Sequence, residues 1–223
     1  MSNYHMDLNQ LSLDWYQETL RAKELMPGRR VLHDSLDERF AAIRGKGVET
    51  LGQLVEAMRT KPRLQNFALL TGLEEQYLVI LKRDAMSYIP QPVALGRFPG
   101  VKSALVQGLA GLGIQHSKHL FERITNEADV KGLATEMGTD PAELRTLRGM
   151  ADLARIYGVG PVFARIFHDA GVTSVAVLLG REPGEIFTWL KRRSQEAGDI
   201  VNYTEQDIEQ CLEMAGLLPE SGI

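Results

Sequence analysis

The chain has 223 residues, with 25 Lys and Arg against 29 Asp and Glu, which gives a net charge of −4. Proteins that coat nucleic acid constitutively are usually basic, because neutralising phosphates releases counterions, so this composition argues against that class. No apolar run approaches the roughly 20 residues that span a membrane, and the first residues lack the pattern of a signal peptide. These features predict a cytoplasmic protein with no membrane partner. The single cysteine, Cys211, excludes an internal disulfide and predicts a packed thiol.

Helix and linker signals divide the chain into four predicted segments. Residues 1–34 form an N-terminal arm, with a helix from about Ser12 to Met26 that stops at Pro27-Gly28. Three helical repeats follow, covering residues 35–89, 90–150 and 151–223. The prolines of Pro90-Gln91-Pro92 block helix and stiffen the chain, so they predict a linker before the second repeat.

Two sequence patterns recur along the chain. A glycine–aliphatic pair, followed by a capping residue and a leucine, begins at Gly47, Gly113 and Gly171. A second pattern links the stretches that follow Gly72 and Gly138, which are as far apart in the chain as Gly47 and Gly113. Because two patterns agree on one offset and the apolar spacing is helical, they indicate internal repeats. The sequence therefore predicts an all-α fold of tandem repeats of short helices, which break near Gly100, Gly113, Gly158 and Gly171.

A glycine hairpin, Gly158-Val159-Gly160-Pro161, lies between two helical runs of the third repeat. Gly158 and Gly160 are expected to adopt backbone conformations that a Cβ would obstruct, and Pro161 has the φ favoured in a first helical turn. The stretch resembles the helix-hairpin-helix family, whose hairpin amides usually grip a phosphate of nucleic acid.

The whole chain is also similar to an uncharacterised family of bacterial proteins. The matching features are the arm around Leu13-Asp14-Trp15-Tyr16, the hairpin Phe98-Pro99-Gly100-Val101, and the hairpin that ends at Pro161. This resemblance implies tandem helix-hairpin-helix-like domains after a helical N-terminal arm. It implies no established activity.

The helix-hairpin-helix resemblance implies candidate residues for contact with the phosphate backbone of DNA or RNA. In the third repeat they are Gly158, Val159, Gly160 and Arg165, although Pro161-Val162-Phe163 replaces the cation that DNA-binding members place after the second glycine. In the second repeat they are Arg97, Gly100, Val101 and Lys102, which keep a cation but only one glycine. Such contacts would not read base sequence, because phosphate contacts position a protein without distinguishing bases.

Similar hairpins also occur in protein-interaction domains, where the glycines only allow helices to pack closely. The alternative prediction is a scaffold that binds a protein partner or self-associates, with the helix from Thr204 to Leu217 as a candidate surface. The sequence carries no catalytic signature and no cofactor motif, so we expect a protein that is not an enzyme. His116 and His119 lack a third ligand, so we expect His116 to cap a helix rather than bind a metal.

Overall fold

The structure, a computed structural model, describes residues 3–197 and 204–221, and within these ranges it contains helices and no strand. The predicted all-α fold class is confirmed. The α-helices, numbered in chain order, are α1 (Leu13–Ala22), α2 (Leu36–Arg44), α3 (Leu51–Ala57), α4 (Lys61–Thr71), α5 (Glu75–Met86), α6 (Ser103–Gly111), α7 (Ser117–Arg123), α8 (Glu127–Met137), α9 (Pro141–Leu153), α10 (Pro161–Asp169), α11 (Val175–Leu179), α12 (Pro183–Ala197) and α13 (Glu205–Gly216). Short 3-10 helices lie at Leu8–Gln10, Pro27–Leu32 and Leu95–Arg97. Among the helices of the described ranges, none is long and apolar enough to span a membrane.

The helix of the N-terminal arm is shorter than predicted. It begins after Ser12, whose hydroxyl accepts the N–H of Trp15 at 3.0 Å, but it ends at Ala22 rather than near Met26. Met26 is extended, with ψ of 149°, because the ring of Pro27 disfavours helical geometry in the residue before it.

The chain folds into two compact units. The N-terminal unit is Asp7–Tyr88, and the C-terminal unit is Ile89–Ile223 together with Met1–Met6. The break after Tyr88 lies beside the predicted linker at residues 90–92. The predicted borders after residues 34 and 150 lie inside the units, the second of them within α9, and these finer divisions stay predictions.

Asp84 is the polar centre of the N-terminal unit. Its side chain is fully buried and accepts hydrogen bonds from the hydroxyl of Tyr16 at 3.1 Å and from Nη1 of Arg29 at 2.9 Å. Burial, and then the charge of Asp84, raises the pKa of Tyr16 well above its usual value. An unpaired charge in a core is costly, so the buried carboxylate needs these partners. Because Tyr16 and Arg29 belong to the N-terminal arm and Asp84 belongs to α5, their hydrogen bonds join the arm to that helix.

The segment Asn3–Met6, which we call the N-terminal strap, belongs to the C-terminal unit. Tyr4 and Met6 are buried, and the hydroxyls of Tyr4 and Ser117 share a hydrogen bond of 2.5 Å. The ring of Tyr4 also packs edge-on against Phe121, with 5.4 Å between the ring centroids. The strap therefore contributes side chains to the core of a unit whose other residues begin at position 89.

Arg155, which is fully buried, fastens both ends of the chain to the C-terminal unit. Its Nε donates to the carbonyl oxygen of Tyr4 at 2.9 Å, and its Nη2 donates to the carbonyl oxygens of Asn3 at 3.1 Å and Pro219 at 2.6 Å. Its Nη1 donates to Asp152 at 2.5 Å. The guanidinium thus satisfies its hydrogen-bonding needs away from water, as a buried charge requires.

Asp152 is the carboxylate of this buried cluster. Its Oδ2 accepts the N–H of Val175 at 2.9 Å. Nη1 of a second buried arginine, Arg148, lies 3.8 Å from its Oδ1. Both arginine guanidinium groups lie over the ring of Phe121, 4.2 and 4.3 Å from its centroid. Burial lowers the pKa of Arg148 to about 10, although Asp152 opposes that shift.

The internal repeats have the same local structure. Gly47, Gly113 and Gly171 have φ of 76°, 79° and 84°, in the left-handed region that favours glycine. Three residues later, the side chains of Thr50, His116 and Ser174 cap α3, α7 and α11 by accepting a backbone N–H. The predicted breaks at Gly113 and Gly171 are confirmed, and so is the predicted capping role of His116.

The helices themselves recur at the spacings of the sequence patterns. The starts of α3, α4 and α5 precede those of α7, α8 and α9 by the same offset that separates Gly47 from Gly113. The starts of α6 and α7 precede those of α10 and α11 by the offset between Gly113 and Gly171. Gly72 and Gly138, which share the second pattern, end α4 and α8 with φ of 73° and 62°. The repeat therefore extends beyond the hairpins to whole groups of helices.

Candidate functional site

The hairpin of the second predicted repeat is a tight turn at Phe98-Pro99-Gly100-Val101. The N–H of Val101 bonds to the carbonyl oxygen of Phe98 at 3.4 Å, and Gly100 has φ of 76°. Proline at the second position and glycine with positive φ at the third are typical of a type II turn. Phe98 is buried and anchors the turn, and Lys102 directly after it is the N-cap residue of α6.

The hairpin of the third predicted repeat has the same arrangement at the equivalent positions. The N–H of Val159 bonds to the carbonyl oxygen of Ile156 at 3.0 Å, and Gly158 has φ of 84°. Gly160 is the N-cap residue of α10, with φ of −81° and ψ of 177°, a conformation open to any residue. The expectation that Gly160 needs a conformation closed to other residues is therefore wrong, and Gly158 alone carries that requirement.

Both hairpins lead into helix starts that no side chain caps. Lys102 at α6 and Gly160 at α10 make no side-chain hydrogen bond to the first turn of their helices. Side chains do cap other helix starts in the described ranges, at Thr50, Thr60, His116, Asn126, Asp140, Ser174 and Thr204. An uncapped start leaves backbone N–H groups and the positive end of the helix dipole available to an anion.

Lys102, the predicted cation of the second repeat, is bonded to a carboxylate. Its Nζ donates to Oε1 of Glu143 in the first turn of α9, and this bond raises the pKa of Lys102. The lysine side chain is 71% exposed, so the pair lies in water rather than in the core. Exposed pairs of this kind contribute little to stability and can exchange partners.

Arg165, the predicted cation of the third repeat, lies over the hairpin of the second. Its Nη1 donates to the carbonyl oxygen of Pro99 at 3.4 Å, and a Cβ added to Gly100 would lie 2.9 Å from Nη1. Its Nε donates to Asp169, one turn further along α10, at 2.9 Å. The helix that follows the second hairpin thus contacts the first hairpin through this side chain.

Arg97, the remaining predicted cation, ends the 3-10 helix that precedes the first hairpin. It is exposed, and its guanidinium makes no ion pair with the described part of the chain. It is therefore the member of the predicted set whose charge is not already engaged.

A shallow pocket of about 260 Å³ brings together four of the predicted residues, Gly100, Val101, Lys102 and Arg165. Helix α9 completes its wall with Glu143, Thr146 and Met150 among others. Arg97, Gly158, Val159 and Gly160 do not line it, and Val159 is buried. Four of the predicted residues are therefore clustered, whereas Gly158, Val159 and Gly160 form a separate turn at the start of α10 and Arg97 lies before the first hairpin.

Two carboxylates that pair with the predicted cations were not among the predicted residues. Asp169 lies four residues after Arg165 on one helix, a spacing that favours an ion pair and was readable from the sequence. Glu143 is far from Lys102 in the sequence, and only the tertiary fold brings the two together. Within the described ranges, no group of three or more His, Cys, Asp or Glu side chains is arranged to hold a metal ion.

Comparison with known proteins finds one family. The family model described as "Domain of unknown function (DUF4332)" matches residues 99–218, a stretch that includes the second hairpin and, apart from Phe98, the first. No curated protein and no solved structure matches the chain. Since the family model matches more than half of the 223 residues, the chain belongs to the DUF4332 family. The predicted membership of an uncharacterised family is confirmed, whereas its helix-hairpin-helix character and bacterial origin stay predictions.

Proposed function

We propose that this member of the DUF4332 family is a non-catalytic protein that contacts the phosphate backbone of nucleic acid, without sequence specificity, through its two glycine hairpins. In this proposal the hairpins act as helix-hairpin-helix motifs. The backbone N–H groups at the starts of α6 and α10 face the phosphates, and Arg97, Lys102 and Arg165 supply the positive charge.

The observation that carries the proposal is the combination of a glycine turn with an uncapped helix start at both hairpins, since the uncapped starts of α2 and α5 alone would not single them out. The turns at Gly100 and Gly158 share one backbone arrangement, and each delivers a helix start without a capping side chain. A helix start of this kind favours an anion, and a phosphate is the anion that nucleic acid presents at regular spacing. Arg97 and Lys102 flank the first turn, where they add Coulombic attraction.

The carboxylates beside the cations limit the affinity. A phosphate that reaches Lys102 must displace Glu143, and one that reaches Arg165 must compete with Asp169. These exchanges cost little because the pairs are partly exposed, but the net charge of −4 repels a polyanion at long range. We expect modest affinity that falls steeply as salt is added.

The test is a titration of labelled duplex, branched and single-stranded DNA, and of single-stranded RNA, at two salt concentrations. We expect binding whose logarithm falls linearly with the logarithm of the salt concentration. The double variant Arg97→Glu/Lys102→Glu should weaken binding to all sequences alike and lower the salt slope by about 1 for each cation. Absence of binding at low salt to all four nucleic acids would overturn the proposal.

A matched control separates a local effect from a change in net charge. Lys131→Glu/Arg181→Glu changes the same two residue types at exposed positions of the C-terminal unit that do not line the pocket. We expect it to retain most of the binding. Equal losses in the two double variants would show that the binding is unspecific attraction rather than contact at the hairpins.

A second candidate function is protein interaction, and one observation favours it. Leu69 and Leu70, adjacent at the end of α4, are 84% and 53% exposed, and Val79 on α5 is 44% exposed. Adjacent apolar side chains in water are a common feature of interaction surfaces. Light scattering tests self-association, which Leu69→Glu/Leu70→Glu should abolish. A monomer that binds nucleic acid would argue against this function.

A further inference from the structure

Two histidines form the start of α7, and their rings are stacked with 3.5 Å between the centroids. Nδ1 of His116 accepts the N–H of His119 at 3.2 Å, and Nδ1 of His119 accepts the N–H of Gln115 at 3.4 Å. A ring nitrogen accepts a hydrogen bond only when it carries no proton, so both contacts require neutral imidazoles. The start of α7 is therefore held by two acceptors that acid converts into donors.

The N-terminal unit has the same arrangement without histidine. At the equivalent positions of α3, Thr50 accepts the N–H of Gln53 at 3.2 Å. The side-chain oxygen of Gln53 accepts the N–H of Glu49 at 2.7 Å, as His119 accepts that of Gln115. The pattern of contacts is shared, but the acceptors of α3 do not titrate near neutral pH. The chain thus contains its own pH-insensitive version of the motif.

The first turn of α7 also holds the N-terminal strap. Ser117, the first residue of α7, is buried, and its hydroxyl bonds to that of Tyr4 at 2.5 Å and accepts the N–H of Val93 at 2.9 Å. A shift of this turn would break the contact between Ser117 and Tyr4. The histidines that cap this turn therefore help to position Ser117 for its hydrogen bond with Tyr4 in the strap.

Burial, with a smaller contribution from neighbouring groups, makes protonation of His116 unfavourable in the folded state. Burial and then His119 lower the pKa of His116, and burial and then Lys118 lower the pKa of His5 in the strap. The other charged groups on α7 or facing it are Glu122, which pairs with Lys118, Arg123, which pairs with Glu136 of α8, and Arg148, Asp152 and Arg155 on the side of Phe121. A positive charge at a helix start is also opposed by the helix dipole.

We propose that His116, with His119 stacked against it, forms a pH-sensitive latch, which holds the N-terminal strap while the ring of His116 is neutral and loosens it when that ring is protonated. Protonation removes the acceptor Nδ1 of His116 from the start of α7 and places positive charge against His119 and beside Lys118. The first turn then frays, and Ser117 loses its fixed position against Tyr4. The device is separate from the proposed contact with nucleic acid, since neither histidine lines the pocket beside Gly100.

The sign of the pH dependence follows from the lowered pKa of His116. Above the ordinary histidine pKa of about 6.5, both folded and unfolded chains are neutral at this position, and the stabilising contribution is complete. As the pH falls below that value, the unfolded chain takes up the proton more readily than the folded chain, so the free energy of unfolding decreases. The loss should begin near pH 6.5 and increase as the pH falls further, which follows from the same linkage.

The experiment uses the full chain and the variant His116→Thr/His119→Gln, which copies Thr50 and Gln53. We expect the melting temperature of the unmodified protein to fall between pH 7.5 and 5 by about 3 °C more than that of the variant, as expected for the loss of a helix cap in a chain of this size. Hydrogen exchange should show faster exchange at pH 5, after correction for intrinsic rates, in the first turn of α7 and in the strap. The variant, which keeps His5 in the strap, should show a clearly smaller increase in both segments.

A matched control is His33→Gln in the N-terminal unit, where the ring contacts the carbonyl oxygen of Leu20 at 2.8 Å as a donor. We expect this variant to keep the pH dependence of the unmodified protein. If the double variant does not fold, His116→Ser replaces it, since serine caps α11 at Ser174. Equal pH dependence in the unmodified protein and the capping variant, or an unchanged strap at pH 5, would overturn the proposal.

Discussion

Arg155 donates a hydrogen bond from Nε to the carbonyl oxygen of Tyr4 over 2.9 Å, which joins residues 151 positions apart in the chain. The bond lies in the core of the C-terminal unit, where both residues are fully buried. The strap is therefore held by recognition of its main chain as well as by the ring of Tyr4. Because Arg155 also bonds to Asp152, one guanidinium contacts both the strap and the buried carboxylate.

Replacing Arg155 by methionine should strongly destabilise the C-terminal unit. The change removes the partner that lies 2.5 Å from Asp152 and leaves main-chain carbonyls of the strap without a donor. Removing one member of a buried ion pair typically costs about 3–5 kcal/mol in the free energy of unfolding. Urea unfolding followed by circular dichroism measures this cost.

The control is Arg145→Met, which removes an exposed arginine from α9 that pairs with Glu127 across the surface. Since exposed pairs contribute little, its unfolding midpoint should match that of the unmodified protein. If the two variants unfolded at the same urea concentration, the buried cluster would not contribute as the geometry indicates.

Gly158 and Gly160 should respond differently to the same substitution. Gly158→Ala places a Cβ at φ of 84°, which costs about 1–2 kcal/mol in the free energy of unfolding. Gly160→Ala meets no atom within 4 Å at φ of −81°, so the melting temperature should change much less, because the lower chain entropy of alanine and its poorer fit to an N-cap position oppose each other. Thermal unfolding of both variants checks this. Equal destabilisation would mean that the turn at α10 differs from the one described.

The local features of the fold were predictable because their causes are local. A glycine with positive φ and a capping side chain three residues later are both set by neighbouring residues, so the sequence pattern located Gly113, Gly171 and the cap at His116. The same kind of reasoning placed the turn at Gly100. It failed at Gly160 because two glycines around one residue do not reveal which of them has the positive φ.

The long-range features could not be predicted from one sequence. The burial of Arg155 and its bond to Tyr4 depend on packing between residues 151 positions apart in the chain, and nothing near either residue signals it. The same holds for Glu143, whose contact with Lys102 changes the electrostatics of the predicted phosphate site. The residues of the candidate site were thus predictable, but the charges that oppose them were not.

Gly149 should tolerate alanine much less well than another helical glycine of the same unit. A Cβ at Gly149 would lie 2.4 Å from the carbonyl oxygen of Thr173 and 3.2 Å from the ring of His168. Helix α9 would therefore have to move away from α10 and the turn that follows it. Overpacking of this kind typically costs about 1–3 kcal/mol in the free energy of unfolding.

The matched variant is Gly132→Ala in α8, where a Cβ meets no atom within 4 Å. Alanine favours helix over glycine there by about 0.5–1 kcal/mol, so this change should raise the melting temperature. Comparing the two variants by thermal unfolding separates helix propensity from close packing. A stable Gly149→Ala protein would show that α9 and α10 are further apart than described.

Cys211 should be unreactive in the folded protein and reactive once it unfolds. Burial raises the pKa of its thiol to about 12, so almost none of the reactive thiolate is present at pH 8. A thiol-specific reagent added at pH 8 should therefore label the native protein very slowly, whereas in urea it should label one thiol for each chain. The rate in low urea should rise in proportion to the opened fraction, so the strongly destabilised Arg155→Met variant should label faster than Arg145→Met. Rapid labelling of the native protein, equal in rate to that in urea, would contradict the packed environment of α13.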